Sequence, residues 1–277
     1  MNEGANAPRV AAIQMSSGAD LSANLQAAWR LLEEARGAGA ALAVLPENFA
    51  FMGVRDADKL AVAEDEGQGP IQDFLAAAAQ RLQLWIVGGT VPLRTAAASR
   101  VAAACLVYDT AGARIARYDK MHLFDVDVPG NGDRYRESAS IAPGPLAATV
   151  FDTPAGRLGL SVCYDLRFPE LFRRLVAQGA EILAVPSAFT EHTGAAHWDV
   201  LLRARAIENQ CYVVAPGQCG EHPGGRRTWG HSLIADPWGR VLAQRDAGEG
   251  VIVAPLPREP LLSLRRSFPA LDHRRLP

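Results

Sequence analysis

Three residue types that together can activate a nucleophile stand at the ends of strand-like runs. Cys163 follows Leu158-Gly159-Leu160-Ser161-Val162, Glu47 follows Ala41-Leu42-Ala43-Val44-Leu45-Pro46, and Lys120 follows Ala113-Arg114-Ile115-Ala116-Arg117-Tyr118-Asp119. A thiol with an ordinary pKa of about 8.5 is a weak nucleophile at neutral pH until a base takes its proton or a cation stabilises the thiolate. Glu47 supplies the base and Lys120 the cation. Cys163 also precedes a run that reads as a helix, whose N-H groups and positive dipole end favour a thiolate and, later, a developing oxyanion. Cys105 and Cys211 lie inside apolar runs and read as buried, inert thiols, whereas Cys219 carries no signal.

The elements that must bring these residues together are legible as alternating patterns. Val10 to Ile13 reads as a strand, and Leu21 to Arg36 as a helix with Leu21, Leu25, Ala28 and Leu32 at helical spacing. Ala41 to Leu45 reads as a second strand. Ile71 to Leu82 is the next helix and Leu84 to Val87 the next strand. Hairpins turn at Asp109-Thr110-Ala111-Gly112 and at Thr153-Pro154-Ala155-Gly156. The second half repeats the scheme, with helices at Phe168 to Gln178 and His197 to Asn209, strands at Ile182 to Val185 and Cys211 to Ala215, and a hairpin at Asp236-Pro237-Trp238-Gly239. The exits Ala43-Val44-Leu45-Pro46-Glu47-Asn48-Phe49 and Ala184-Val185-Pro186-Ser187-Ala188-Phe189 are alike, which suggests an internal duplication. Strands that are apolar throughout belong in sheets covered on both faces, so the fold class is α/β. Met121 to Pro145, directly after Lys120, has few periodic apolar positions and reads as a functional loop.

At these residues the chain resembles the nitrilase superfamily of carbon-nitrogen hydrolases, whose Glu-Lys-Cys triad has the same chain order. The resemblance runs from Val10 to about Arg275. Its most specific stretches are Leu45-Pro46-Glu47-Asn48, Tyr118-Asp119-Lys120-Met121-His122-Leu123-Phe124-Asp125 and Gly159-Leu160-Ser161-Val162-Cys163-Tyr164-Asp165-Leu166-Arg167-Phe168-Pro169-Glu170. It implies a four-layer α-β-β-α sandwich with two six-stranded sheets, a hydrolase domain over residues 8–257, and a tail over 258–277 that sits at a dimer interface or packs on the domain. It also implies that Glu47 is the general base, that Cys163 attacks an amide carbonyl to give a thioester, and that Lys120 and the backbone N-H of Tyr164 hold the oxyanion. Glu137, in Tyr135-Arg136-Glu137-Ser138, matches a second glutamate of the family and is implied to position Lys120 and the substrate, the alternative being a solvated loop carboxylate. Tyr164 stands where nitrile-cleaving members carry Trp, which favours amide hydrolysis.

The run from His197 to Val214 and the segment Gly217-Gln218-Cys219-Gly220 resemble the subgroup that acts on deaminated glutathione, with ω-amidases of α-keto acid amides and N-carbamoyl amino acid hydrolases as neighbouring possibilities. Met121 departs from that subgroup, which often has Thr there. Such substrates carry carboxylates. Arg167 is therefore expected to bind one through paired hydrogen bonds, the alternative being an ion pair with Asp165 or Glu170. Phe189 and Thr193 are expected to add an apolar wall and a hydroxyl, or simply to pack within their loop.

Composition narrows the rest. With 277 residues, 49% hydrophobic and 21% charged, the chain supports a buried core, and a net charge of -2 offers no broad basic field for nucleic acid or an anionic membrane. No apolar run approaches the ~20 residues needed to span a bilayer. The start lacks the basic-then-apolar order of a signal peptide, so a cytoplasmic protein is expected. His192 and His197 are five apart, a poor fit to metal ligation from one helical face, and neither a dinucleotide nor a P-loop fingerprint occurs. No metal or cofactor is expected. The partners are a small amide, water and a second copy of the chain in a homodimer or larger homo-oligomer, and a catalytically silent dimeric scaffold is the non-enzymatic alternative.

Overall fold

The computed structural model describes residues 7–129 and 133–276. The first six residues, read above for a leader, lie outside the described residues. In chain order the strands are β1 (Arg9–Gln14), β2 (Ala40–Leu45), β3 (Trp85–Gly88), β4 (Val91–Arg94), β5 (Val101–Tyr108), β6 (Arg114–Asp119), β7 (Asp125–Asp127), β8 (Arg134–Arg136) and β9 (Ile141–Ala142). There follow β10 (Val150–Thr153), β11 (Gly156–Leu160), β12 (Ile182–Ala184), β13 (Tyr212–Ala215), β14 (Cys219–Glu221), β15 (Arg227–Trp229), β16 (Ser232–Ala235), β17 (Val241–Arg245) and β18 (Gly250–Pro255). The helices are α1 (Leu21–Gly37), α2 (Pro70–Leu82), α3 (Pro169–Ala177), α4 (Glu191–Asn209) and α5 (Arg258–Ser267).

Two sheets pack face to face. The first runs β18-β1-β2-β3-β5-β4, and the second runs β10-β11-β12-β13-β16-β17. Both six-strand paths have the same succession: one antiparallel pair, two parallel pairs, then two antiparallel pairs. The parallel pairs require crossover connections. These are α1 and α2 in one half and α3 and α4 in the other, so β2 and β12, whose exits are alike in sequence, hold equivalent places. The first sheet also carries β6 and β9 on β5, making eight strands where the resemblance implies six. These additions deliver Lys120 from the end of β6 and the Glu137 segment ahead of β9.

Alternation along the strands explains the layers. Ala11, Ile13, Ala43 and Leu45 face α1 and α2, while Val10, Ala12, Leu42 and Val44 face the second sheet, which α3 and α4 cover from outside. Asp20 caps α1 by accepting from the Ala23 N-H at 3.0 Å. Helix α4 starts at Glu191, six residues before its apolar periodicity, because Thr190 caps it and the turn Glu191-His192-Thr193-Gly194 is polar or small. Gly194 is required there, since a Cβ would lie 2.3 Å from the Trp229 Cβ. At the end of the chain, α5 buries Leu261, Arg258 pairs with Glu181 at 2.7 Å, and Arg265 donates to the Ala180 and Gln210 carbonyls. No helix among the described residues is long and apolar enough to cross a membrane.

Candidate active site

Each key side chain is placed by a strand that stops. Glu47 follows β2, whose exit is pressed against Gly89. That residue has φ +51, and a Cβ there would lie 2.0 Å from the Pro46 carbonyl oxygen. Gln218 fixes the same turn from the other half of the chain, donating to the Glu47 carbonyl at 3.0 Å and to Ser17 Oγ at 2.8 Å. Lys120 follows β6, with its N-H bonded to the Ala103 carbonyl at 3.0 Å. Cys163 follows β11 with φ +48, a left-handed conformation that costs about 1–3 kcal/mol in a non-glycine residue.

That conformation is held by Asp165, which is fully buried. Its carboxylate accepts from the Val162 N-H at 2.8 Å, the Tyr118 hydroxyl at 2.7 Å and the His122 N-H at 3.1 Å, with His122 Nδ1 at 2.7 Å. One residue thus ties the Cys163 turn to the strand that precedes Lys120. The turn after Cys163 is a 3₁₀ helix over Cys163–Arg167, and α3 begins at Pro169, within one residue of the start that its sequence suggests.

The charged groups converge. Lys120 Nζ lies 2.8 Å from Glu47 Oε1 and 2.8 Å from Glu137 Oε1, and the exposures of Lys120, Glu47, Glu137 and Cys163 are 2%, 4%, 7% and 8%. Glu137 also accepts from the Phe124 N-H at 2.6 Å. It is a buried partner of Lys120 and not a solvated loop carboxylate. Burial pushes the Glu47 carboxyl up, but the Lys120 ammonium and hydrogen bonds from Lys120 and Cys163 outweigh it and hold the group below its ordinary value. Burial pulls Lys120 down, yet Glu137 and Glu47 hold it well above the usual ammonium value.

The thiol behaves differently from the sequence expectation. Burial, followed by the charge of Glu47, pushes Cys163 well above its ordinary value, against the opposing pull of Lys120 and a hydrogen bond from the Ala188 backbone. At rest the site therefore holds a neutral thiol beside an ionised carboxylate. The thiolate is not favoured in advance, because Lys120 already shares its charge between two carboxylates. Cys105 and Cys211 are fully buried, and burial pushes the Cys211 thiol up to about 12.

All eight residues singled out from the sequence, Glu47, Lys120, Cys163, Glu137, Tyr164, Arg167, Phe189 and Thr193, line one cavity. The Arg167 guanidinium lies 5.3 Å from the Phe189 ring centre and 5.9 Å from that of Tyr164, with Nη1 3.3 Å from His197 Nδ1. It forms no ion pair with Asp165 or Glu170 among the described residues. The Thr193 hydroxyl is engaged with that of Thr190 at 2.8 Å.

Sequence reasoning missed Asn48, Asp56, Lys59, Phe124, Tyr135, Ala188, Thr190 and Arg226 in the same wall. Lys59 Nζ is 3.1 Å from Asp56 Oδ1, and Lys59 is the largest influence holding the Asp56 carboxyl down to about 2. The signal available was weak. Both lie in the irregular stretch between Glu47 and α2, and no motif marks Arg226. Among the described residues no group of three or more His, Cys, Asp or Glu side chains is arranged to hold a metal ion.

A sandwich of duplicated halves whose strand ends gather a carboxylate, an ammonium and a thiol defines a carbon-nitrogen hydrolase. The family model of that description matches residues 9–266, and the chain belongs to this family. Among curated relatives it is 46% identical over 273 residues to a deaminated glutathione amidase of Synechocystis sp. (strain PCC 6803 / GT-S), covering 95% of this chain and 97% of that one. It is 43% identical over 271 residues to the Homo sapiens deaminated glutathione amidase, covering 97% and 82%. Among solved structures, Saccharomyces cerevisiae Nit3 superposes with a TM-score of 0.86 at 31% identity and 97% coverage of both chains. The Caenorhabditis elegans NitFhit protein gives 0.90 at 39% identity; the match covers 97% of this chain but only 65% of that longer one.

Proposed function

We propose that the chain is a cysteine-dependent amidase that cleaves a small acidic amide of the deaminated glutathione kind through a thioester. The observation that carries this reading is the convergence of the groups: Lys120 Nζ lies 2.8 Å from both Glu47 Oε1 and Glu137 Oε1, and Cys163 lines the same cavity beside them. Glu47 takes the thiol proton as Sγ bonds to the amide carbon. The carbonyl oxygen becomes an oxyanion held by Lys120 and the Tyr164 N-H. Glu47 returns the proton to nitrogen, the C-N bond breaks, and ammonia or an amine leaves. Water then attacks the thioester, giving its proton to Glu47. The C-S bond breaks, the carboxylic acid departs and the thiol is restored. Glu137 fixes Lys120 through both of its oxygens at 2.8 and 2.9 Å.

Arg167, lacking a carboxylate partner among the described residues, takes a substrate carboxylate; Phe189 forms an apolar wall and Thr193 contributes its hydroxyl. The same machinery accommodates ω-amides of α-keto acids or N-carbamoyl amino acids as alternative substrates. Exposed Val200 and Ile207 on α4, with Trp238 and Phe268 nearby in contact, favour a homodimer, and we infer a cytoplasmic enzyme. Cys163→Ala is expected to lose amide hydrolysis by several orders of magnitude while keeping the native circular dichroism spectrum. Unchanged amine release by that variant would falsify the mechanism.

A further inference from the structure

The cavity that holds Cys163 adjoins a second, outer one, and the two share Asp56, Tyr135, Thr190 and Arg226. The outer wall carries five arginines against three carboxylates. Most of those arginines are already paired: Arg55 with Asp58 at 3.1 Å, Arg136 with Asp127 at 2.9 Å and Arg227 with Glu191 at 2.7 Å. Arg134 is 3.7 Å from an Asp127 oxygen that Arg136 already holds, and Arg226 Nη1 is likewise 3.6 Å from Asp56 Oδ1, an oxygen that Lys59 Nζ holds at 3.1 Å. Of the five, Arg226 is the one that also lines the inner cavity. Its Nε is buried and has no hydrogen-bond partner among the described residues. Leaving a buried donor of this kind unsatisfied is costly, so a ligand that accepts from it is favoured.

The guanidinium is also held in place. It lies 5.5 Å from the Tyr135 ring centre, and its backbone closes the β14-β15 hairpin, where the His222 N-H donates to the Arg226 carbonyl at 2.8 Å. A planar fork with spare donors suits a carboxylate. The order of bond breaking decides which end of a substrate reaches it. During the thioester stage the acyl group is fixed on Cys163 in the inner cavity while the amine must depart, so the amine arm has to lie toward the outer cavity. We propose that Arg226 is a specificity-determining residue that binds a carboxylate on the amine side of an elongated amide, making the outer cavity the subsite for an amino-acid or dipeptide leaving group. This rests on the amidase reading and adds to it the recognition of the departing amine.

The test uses two amides with one 2-oxo dicarboxylate acyl group, joined either to a dipeptide with a free terminal carboxylate or to the same dipeptide carboxamide. Wild type should prefer the carboxylate by about tenfold or more in kcat/KM, mainly through KM. In Arg226→Gln that preference should collapse toward one, and Arg226→Lys should restore part of it. A wild-type ratio near one, which needs no variant to fold, overturns the proposal while leaving the amidase reading intact, as does an unchanged ratio in Arg226→Gln. Failure of wild type to hydrolyse either compound, or any simple ω-amide, overturns both.

Discussion

Replacing Lys120 by Met removes the one ammonium that touches both buried carboxylates. In wild type Glu47 and Glu137 each contact Nζ at 2.8 Å, so the two contacting oxygens lie at most about 5.6 Å apart. With an effective dielectric of about 20, their repulsion in the variant is about 3 kcal/mol, enough to raise one carboxyl by about two pKa units. Breaking a buried pair in this way destabilises by about 3–5 kcal/mol at neutral pH. The pH dependence separates this from a simple packing defect. In wild type Glu47 lies below its ordinary value, so the unfolded chain binds more protons and the group's stabilisation, present above about pH 4.3, is lost as pH falls through the depressed folded value. In Lys120→Met a carboxyl raised above that value makes the folded chain bind more protons, so stability falls as pH rises. The stability gap between the two proteins should therefore widen from about pH 4 to 7 in urea melts. Loss of the oxyanion donor should lower kcat by about 10²–10³ in an amine-release assay. A gap that does not change with pH, or a kcat loss under about tenfold, would refute the arrangement.

Other expectations follow from single contacts. Asp165→Ala strips partners from Tyr118, His122 and the Val162 N-H and should destabilise by about 3 kcal/mol or more with a fall in kcat, read by urea titration and initial rates; unchanged stability would remove Asp165 as the brace of the nucleophile turn. Arg167→Ala should raise KM for acidic amides about tenfold or more and leave neutral amides close to wild type. An equal rise for both would take Arg167 out of carboxylate recognition. The acid limb of kcat/KM should fall below the ordinary carboxylate range, because Glu47 must be ionised and is held down by Lys120. A limb centred well above about 4.3 would point to another group.

Local patterns in the chain were sufficient for much of this. The 3.6-residue recurrence in Leu21, Leu25, Ala28 and Leu32 is written into α1, and the Asp109–Gly112 and Asp236–Gly239 turns set their hairpins, because spacing and turn chemistry act over a few bonds. Glu47, Lys120 and Cys163 were legible for the same reason: each is a polar residue directly after a strand. The first two turns of α4 were not, since their polar and small residues carry no apolar period and are held by Thr190 and by Trp229 packed on Gly194.

What the sequence by itself determined was the central strands of both sheets, most of the helices and the polar residues at three strand exits. Only the tertiary structure decided their charge states. A lysine near a cysteine suggests a thiolate, but the fold spends that ammonium on Glu47 and Glu137 and buries the sulfur, so the thiol stays protonated. It also decided that Asp56, Lys59 and Arg226, from the stretch before α2 and a hairpin near the far end, share one wall. Burial and through-space attraction depend on distances between segments far apart along the chain, and no local spacing encodes them.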